Sequence, residues 1–173
     1  MIASQAGAQS LVVVANDSVV PGGTVTGTIQ VAGLPTAYRG HTIRIQIDPA
    51  DAIEGNVTFT AGALSTGAGG RTITNSGIKF FSDSLIPAVP TDITAFPATL
   101  FGFSFTVPAA FAGNSITLNV IEFGEAGIPA SIASNSLSIL EKAAASDSTV
   151  SRVITADNFP GGITNAVITV GGQ

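Results

Sequence analysis

The chain has 173 residues, 10% charged and 45% hydrophobic, with 11 acids against six basic residues and a formal net charge of −5. That length suits one sizeable core, and low charge beside high apolar content argues against disorder. The six cations, Arg39, Arg44, Arg71, Lys79, Lys142 and Arg152, are scattered and form no phosphate-tracking patch, so nucleic acid is not an expected partner. Cysteine is absent, which removes disulfides, thiolate metal sites and cysteine nucleophiles together.

The opening "MIASQAGAQS" lacks the basic region and apolar run of a signal peptide, so the chain is either not exported by that route or a processed form. After the turn "NDSVVPGG", "TVTGTIQV" puts Val25, Gly27, Ile29 and Val31 on one face, and after "GLPTAYRG" the run "HTIRIQI" does the same with Ile43, Ile45 and Ile47. Beyond the turns "STGAGG" and "PAVPTD", "TLFGFSFTV" places Phe101, Phe103, Phe105 and Val107 on one face and Leu100, Gly102, Ser104 and Thr106 on the other. A small-residue corner, "PAAFAGN", leads to Ile116, Leu118 and Val120, and the turn "GEAGIPA" precedes Leu137 and Ile139. "ILEKAAAS" is at most two helical turns, and Pro, Gly or polar residues cut every apolar run short of the roughly 18 residues of a membrane helix. The expected fold is all-β: an Ig-like or jelly-roll-type antiparallel sandwich of about nine strands, with a C-terminal two-strand extension.

Candidate chemical groups are few. His41 is the only histidine, with no second histidine for a metal pair and no Ser–His–acid pattern, so it reads as structural. Asp48, Asp51 and Glu54 in "DPADAIE" either offer oxygen ligands to calcium or do turn and capping work, and the spacing is not that of an EF-hand loop. Glu122 and Glu125 are a carboxylate pair within a turn, read as structural rather than glycosidic. Asn16-Asp17-Ser18 and Asn56-Val57-Thr58 match the N-glycosylation triplet. A sugar-stacking platform is poorly supplied, with no Trp and one Tyr, Tyr38. No cofactor, metal or catalytic residue is expected.

"LFGFSFTVPAAFAGNSITLNVIEFGEAGI" resembles the late part of a cohesin domain, where an aromatic-bearing strand leads through a small-residue turn to a strand ending in a Glu-Phe-Gly-like turn. "SVVPGGTVTGTIQVAGLP" is similar to the opening of that family, and "IDPADAIEGNVTFTAGALSTG" to its Asp-Pro segment. The likeness spans roughly residues 10 to 140, in a chain poorer in charge than typical cohesins. It implies a non-enzymatic, extracellular or cell-surface recognition module, without carrying a dockerin-binding face over residue by residue. The expected division is an N-terminal extension over 1–10, a cohesin-like sandwich over 11–140 and a β extension over 141–173.

The ends suggest a use. "STVSRVITADNFPGGITNAVITVGGQ" reads as two strands, 149–155 and 163–170, joined by "DNFPGG". A surface with few charges lacks the usual defence against association. The leading expectation is a structural subunit that builds a filament or surface layer from copies of itself by strand addition. Its assembly residues would be Val150, Val153, Ile154, Ile163, Val167, Ile168 and Val170, with Ile2 and Ala6 at the other end. The alternative is a monomeric module that recognises a dockerin-like protein or a polysaccharide.

Overall fold

The computed structural model describes residues 7–64, 66 and 69–171. Among these, two facing sheets are built from β1 (Ser10–Ala15), β2 (Ser18–Val19), β3 (Thr24–Ala32), β4 (Tyr38–Asp48), β5 (Glu54–Thr60), β6 (Arg71–Asn75), β7 (Ile78–Leu85), β8 (Ala98–Thr106), β9 (Ser115–Val120), β10 (Ser138–Lys142), β11 (Thr149–Val153), β12 (Gly162–Thr164) and β13 (Ala166–Val170). The smaller sheet runs β12-β1-β3-β8-β5. The larger runs β11-β10-β4-β9-β13-β2, with β7 on β4 and β6 on β7.

Strand β4 organises the larger sheet. Along one edge it pairs with β7 from His41 to Ile47, while the other edge is shared by β10 at its start and β9 at its end. Residues 121–137 leave and rejoin the sheet at that shared edge. Ile43, Ile45 and Ile47 point into the sandwich and are buried, so Thr42, Arg44 and Gln46 point out, as strand geometry requires.

From the smaller sheet, Phe101, Phe103 and Phe105 point in, opposite Ile29, Gly27 and Val25 of β3. Phe103 and Phe81 meet across the core with ring centroids 4.9 Å apart. Leu100, on the other face by alternation, is not solvated but fully buried. Pairing of β3 with β8 shifts between Ile29 and Gln30, and the next segment folds over that end, where the Ala63 N–H donates to the Thr99 carbonyl at 2.7 Å.

Hairpin β6–β7 turns through Ser76 and Gly77 at φ 53° and 77°. Both lie in the left-handed region that a two-residue hairpin of this hand demands.

The tail differs from expectation. Its strands do not form a hairpin with each other: β11 pairs with β10, β12 with β1, and β13 with β9 and β2. Two of these pairings, β1–β12 and β2–β13, are parallel, so the sheets are mixed rather than wholly antiparallel. The cause is a pair of crossings, one at residues 16–17 and one at residue 165, where neighbouring segments pass together from the smaller sheet to the larger. An asparagine serves each crossing. Asn16 Oδ1 accepts the Thr26 N–H at 2.6 Å, and Asn165 Oδ1 accepts the Val120 N–H at 2.9 Å. Each side chain satisfies a strand N–H where the neighbouring segment has turned away.

Candidate partner-binding face

Strand register places the outward side chains of the larger sheet in rows. Ser84, Thr42 and Ser138 form one row, with the Thr42 and Ser84 hydroxyls 3.0 Å apart. The next holds Arg71, Ser82 and Arg44 on β6, β7 and β4. A third runs Ile73, Phe80, Gln46, Asn119 across β6, β7, β4 and β9, and a fourth brings Asp48, Thr117 and Val167 together. Ile73 and Ile78 are half-buried and Val167 is largely exposed, so apolar groups sit among hydroxyls and amides on an outer surface.

Two devices hold this face in shape. The Arg44 guanidinium lies 5.5 Å from the centroid of the Phe80 ring, and its Nη1 donates to the carbonyls of Ser131 at 3.0 Å and Ile132 at 2.6 Å. That cover explains how Phe80 can point outward and still be buried. The Asn119 Nδ2 donates to Gln46 Oε1 at 3.3 Å and to Glu125 Oε1 at 3.0 Å, while its Oδ1 accepts from Asn165 Nδ2 at 2.9 Å. Glu125 Oε2 in turn accepts the Glu122 N–H at 3.1 Å. The excursion over residues 121–137 is thereby fastened to the outward side chains, and Glu125 is occupied in positioning it.

His41 points the other way, into the sandwich, and is fully buried beside Phe101. Its Nδ1 lies 2.6 Å from the Tyr38 hydroxyl and its Nε2 2.5 Å from Asp83 Oδ2. Burial, and secondly the Asp83 carboxylate, push the Tyr38 phenol well above its ordinary pKa, so it stays protonated. The carboxylate accepts from Nε2–H, and Nδ1 and the phenol share the second hydrogen bond. All three side chains are buried, so the trio is part of the interior of the sandwich.

The other residues singled out from the sequence are dispersed. Ile154 and Ile168 are fully buried within this chain, which removes them as anchors in a neighbour. Val153, Ile163 and Val170 are half-buried in their own sheets, while Val150 and Val167 are exposed. Ile2 and Ala6 lie outside the described residues. Asn56 is exposed on β5, whereas Asn16 is half-buried at its crossing. Asp48, Asp51 and Glu54 are exposed, and among the described residues no group of three acids or histidines is placed to hold a metal ion. The surface hollows are shallow; one of about 370 Å3 is lined by the small-residue corner and Val170, with no convergent acid–base pair.

Phe80 and Ile73 are not among the residues singled out from the sequence. The signal was local. "KFFS" sets two phenylalanines side by side in a strand, and alternation sends one of them outward.

No protein-family model matches the chain, and no curated protein matches it in sequence. Solved structures do. The seventh ScaB type I cohesin of Pseudobacteroides cellulosolvens superposes with a TM-score of 0.55 at 16% identity, covering 95% of this chain and 93% of that one. A type II cohesin domain from the cellulosome of Acetivibrio cellulolyticus gives 0.52 at 15% identity, covering 93% and 95%. The third ScaB cohesin of R. flavefaciens, solved in complex with a group 1 dockerin, gives 0.51 at 14% identity over 100% of both chains. The chain is a cohesin-like β-sandwich along essentially its whole length.

Proposed function

We propose that this chain is a non-catalytic, extracellular or cell-surface binding module, and that a dockerin-like protein docks on the outer face of its larger sheet. The observation that carries the reading is the row Ile73–Phe80–Gln46–Asn119, where apolar and amide side chains are held in place on an outward sheet face. Such a mixture of apolar anchors and satisfied polar groups is what a protein interface uses. The R. flavefaciens cohesin, of the same fold, was solved bound to a dockerin. Fold alone does not transfer that function, so the face itself must bear the claim.

This reading is preferred to self-assembly by strand addition, because Ile154 and Ile168, which that mechanism needs on a neighbour, are committed to their own core. It is preferred to a polysaccharide partner because the one Tyr is fully buried and the Phe80 ring is covered by Arg44, so neither offers a sugar a stacking surface.

The test is calorimetric titration of the full chain with a panel of purified dockerins. Binding by at least one member is expected, and Ile73→Asp should weaken it at least about tenfold while leaving the circular dichroism spectrum unchanged. Binding that survives Ile73→Asp and Gln46→Ala at full strength would place the interface elsewhere. Failure of the whole panel, with light scattering showing concentration-dependent polymer, would return the self-assembling subunit.

A further inference from the structure

One row of this face concentrates positive charge in a molecule that is negative overall. The chain carries a formal net charge of −5, yet the row Arg71–Ser82–Arg44 sets two guanidinium groups on either side of a serine. Two inter-strand steps separate the arginine backbones, roughly 10 Å. Among the described residues the ion pairs use Arg39, His41 and Arg152, and none reaches Arg44 or Arg71. The partners of Arg44 are neutral carbonyls and an aromatic ring, and its Nε is buried with no partner at all. Of the acids near the face, Asp48 lies four residues along β4, roughly 13 Å away, and the Glu125 carboxylate is engaged by Asn119 Nδ2 and the Glu122 N–H. The fold thus holds two cations with no ion-pair partner among the described residues, one of them rigidly, in strand positions on either side of an uncharged hydroxyl.

We infer that the partner bound by this face is an acidic protein segment, which sets carboxylates over Ser82 between Arg44 and Arg71. The exposed Arg71 guanidinium suits a carboxylate by paired N–H donation, the Ser82 hydroxyl adds a donor beside it, and Arg44, whose Nη1 is engaged and whose Nε is buried, adds its charge and its Nη2. An acidic side chain arriving there recovers charge compensation that the chain does not supply itself, which favours that partner over neutral competitors and steers its approach. The neighbouring Ile73 and Ile78 offer apolar contact that a protein segment can use and an acidic sugar cannot. This inference rests on the reading above that the outer face of the larger sheet is the docking surface.

The experiment is an NMR titration of the full chain, observing backbone amides and arginine Nε–H signals. Three probes are used: a synthetic helical peptide with two glutamates on one face, the same peptide with glutamines there, and a galacturonate oligosaccharide. The acidic peptide should shift the Arg44 and Arg71 Nε–H signals and the Ser82 amide. It should bind at least about tenfold more tightly than the glutamine peptide and lose about that factor in Arg71→Glu. Arg71 is exposed, so the substitution leaves the core untouched. Equal binding of both peptides, with Arg71→Glu neutral, overturns the acidic partner while the docking face stands. Shifts at Arg44 and Arg71 from the oligosaccharide alone overturn it in favour of an acidic glycan. If neither peptide moves a signal from Ile73, Gln46 or Asn119, the docking face falls as well.

Discussion

Phe103 reaches across the sandwich because residue 27 has no side chain. A Cβ on Gly27 would lie 2.6 Å from the Phe103 ring and 2.2 Å from the Val14 carbonyl oxygen, closer than atoms pack. Gly27→Ala should therefore destabilise the fold by about 1–3 kcal/mol through overpacking. Phe103→Ala, which empties a site only 2% exposed, should cost about 3–5 kcal/mol in urea unfolding. A loss under about 1 kcal/mol would mean that the ring is not where the alternation puts it. At the buried trio, Asp83→Ala leaves the His41 Nε2–H without its acceptor and should cost about 1–3 kcal/mol, measured the same way. Arg39 is a different case, a buried cation on two acids at the rim: its Nε donates to Asp92 at 2.7 Å and its Nη2 to Asp147 at 2.5 Å. The hydrogen bond from Arg39, then its charge, holds the Asp147 carboxyl below the ordinary carboxylate range. The fold thus favours the ionised form, and the stabilisation is complete above about pH 4, the unfolded value, and lost as pH falls through the lower folded one. Unfolding midpoints of wild type and Asp147→Asn should differ above that pH and converge below it. The difference will be modest, because Asp147 itself is exposed and screened by solvent.

Strands were easier to read than their neighbours. Alternation in "HTIRIQI" and "LFGFSFTV" marks β4 and β8 with their inward faces, because burial on one side is written into every second residue. Nothing comparable marks pairing. Val150, Ile163 and Ile168 announce strands, but that β11 joins β10 while β13 joins β9 depends on residues far away in the chain. The crossings were equally hidden, since Asn16 and Asn165 look locally like turn residues, yet their side-chain oxygens accept N–H groups of other strands. Of the proposed docking face, only the outward turn of one phenylalanine in "KFFS" was written locally; the row it shares with Gln46 and Asn119 exists only once β4 is flanked on both sides. The tail strands therefore matter to the rest. A chain ending at Leu140 loses β13 and bares the edge of β9, and also loses the strand that closes β1. It should show no cooperative thermal transition by circular dichroism. A sharp transition near that of the full chain would show that residues 11–140 form a self-sufficient unit.

Taken as a whole, the molecule keeps its charges sparse and its two sheets firmly joined, with the first and last described strands threaded through the same side of the sandwich. Residues 10–12 lie parallel to 162–164, and residues 18–19 lie parallel to 169–170. That arrangement sets how the protein bears load. Tension applied through residues 7 and 171 drags the first strand toward its own beginning and the last toward its own end, so neighbours slide lengthwise past each other. Backbone bonds along these ladders are then strained together, as in a lap joint, instead of being unzipped one after another. Single-molecule pulling between those positions should give one high-force rupture of the entire sandwich, without an earlier low-force peeling of β13. A sandwich of this build can bear load from end to end while the proposed docking face stays intact.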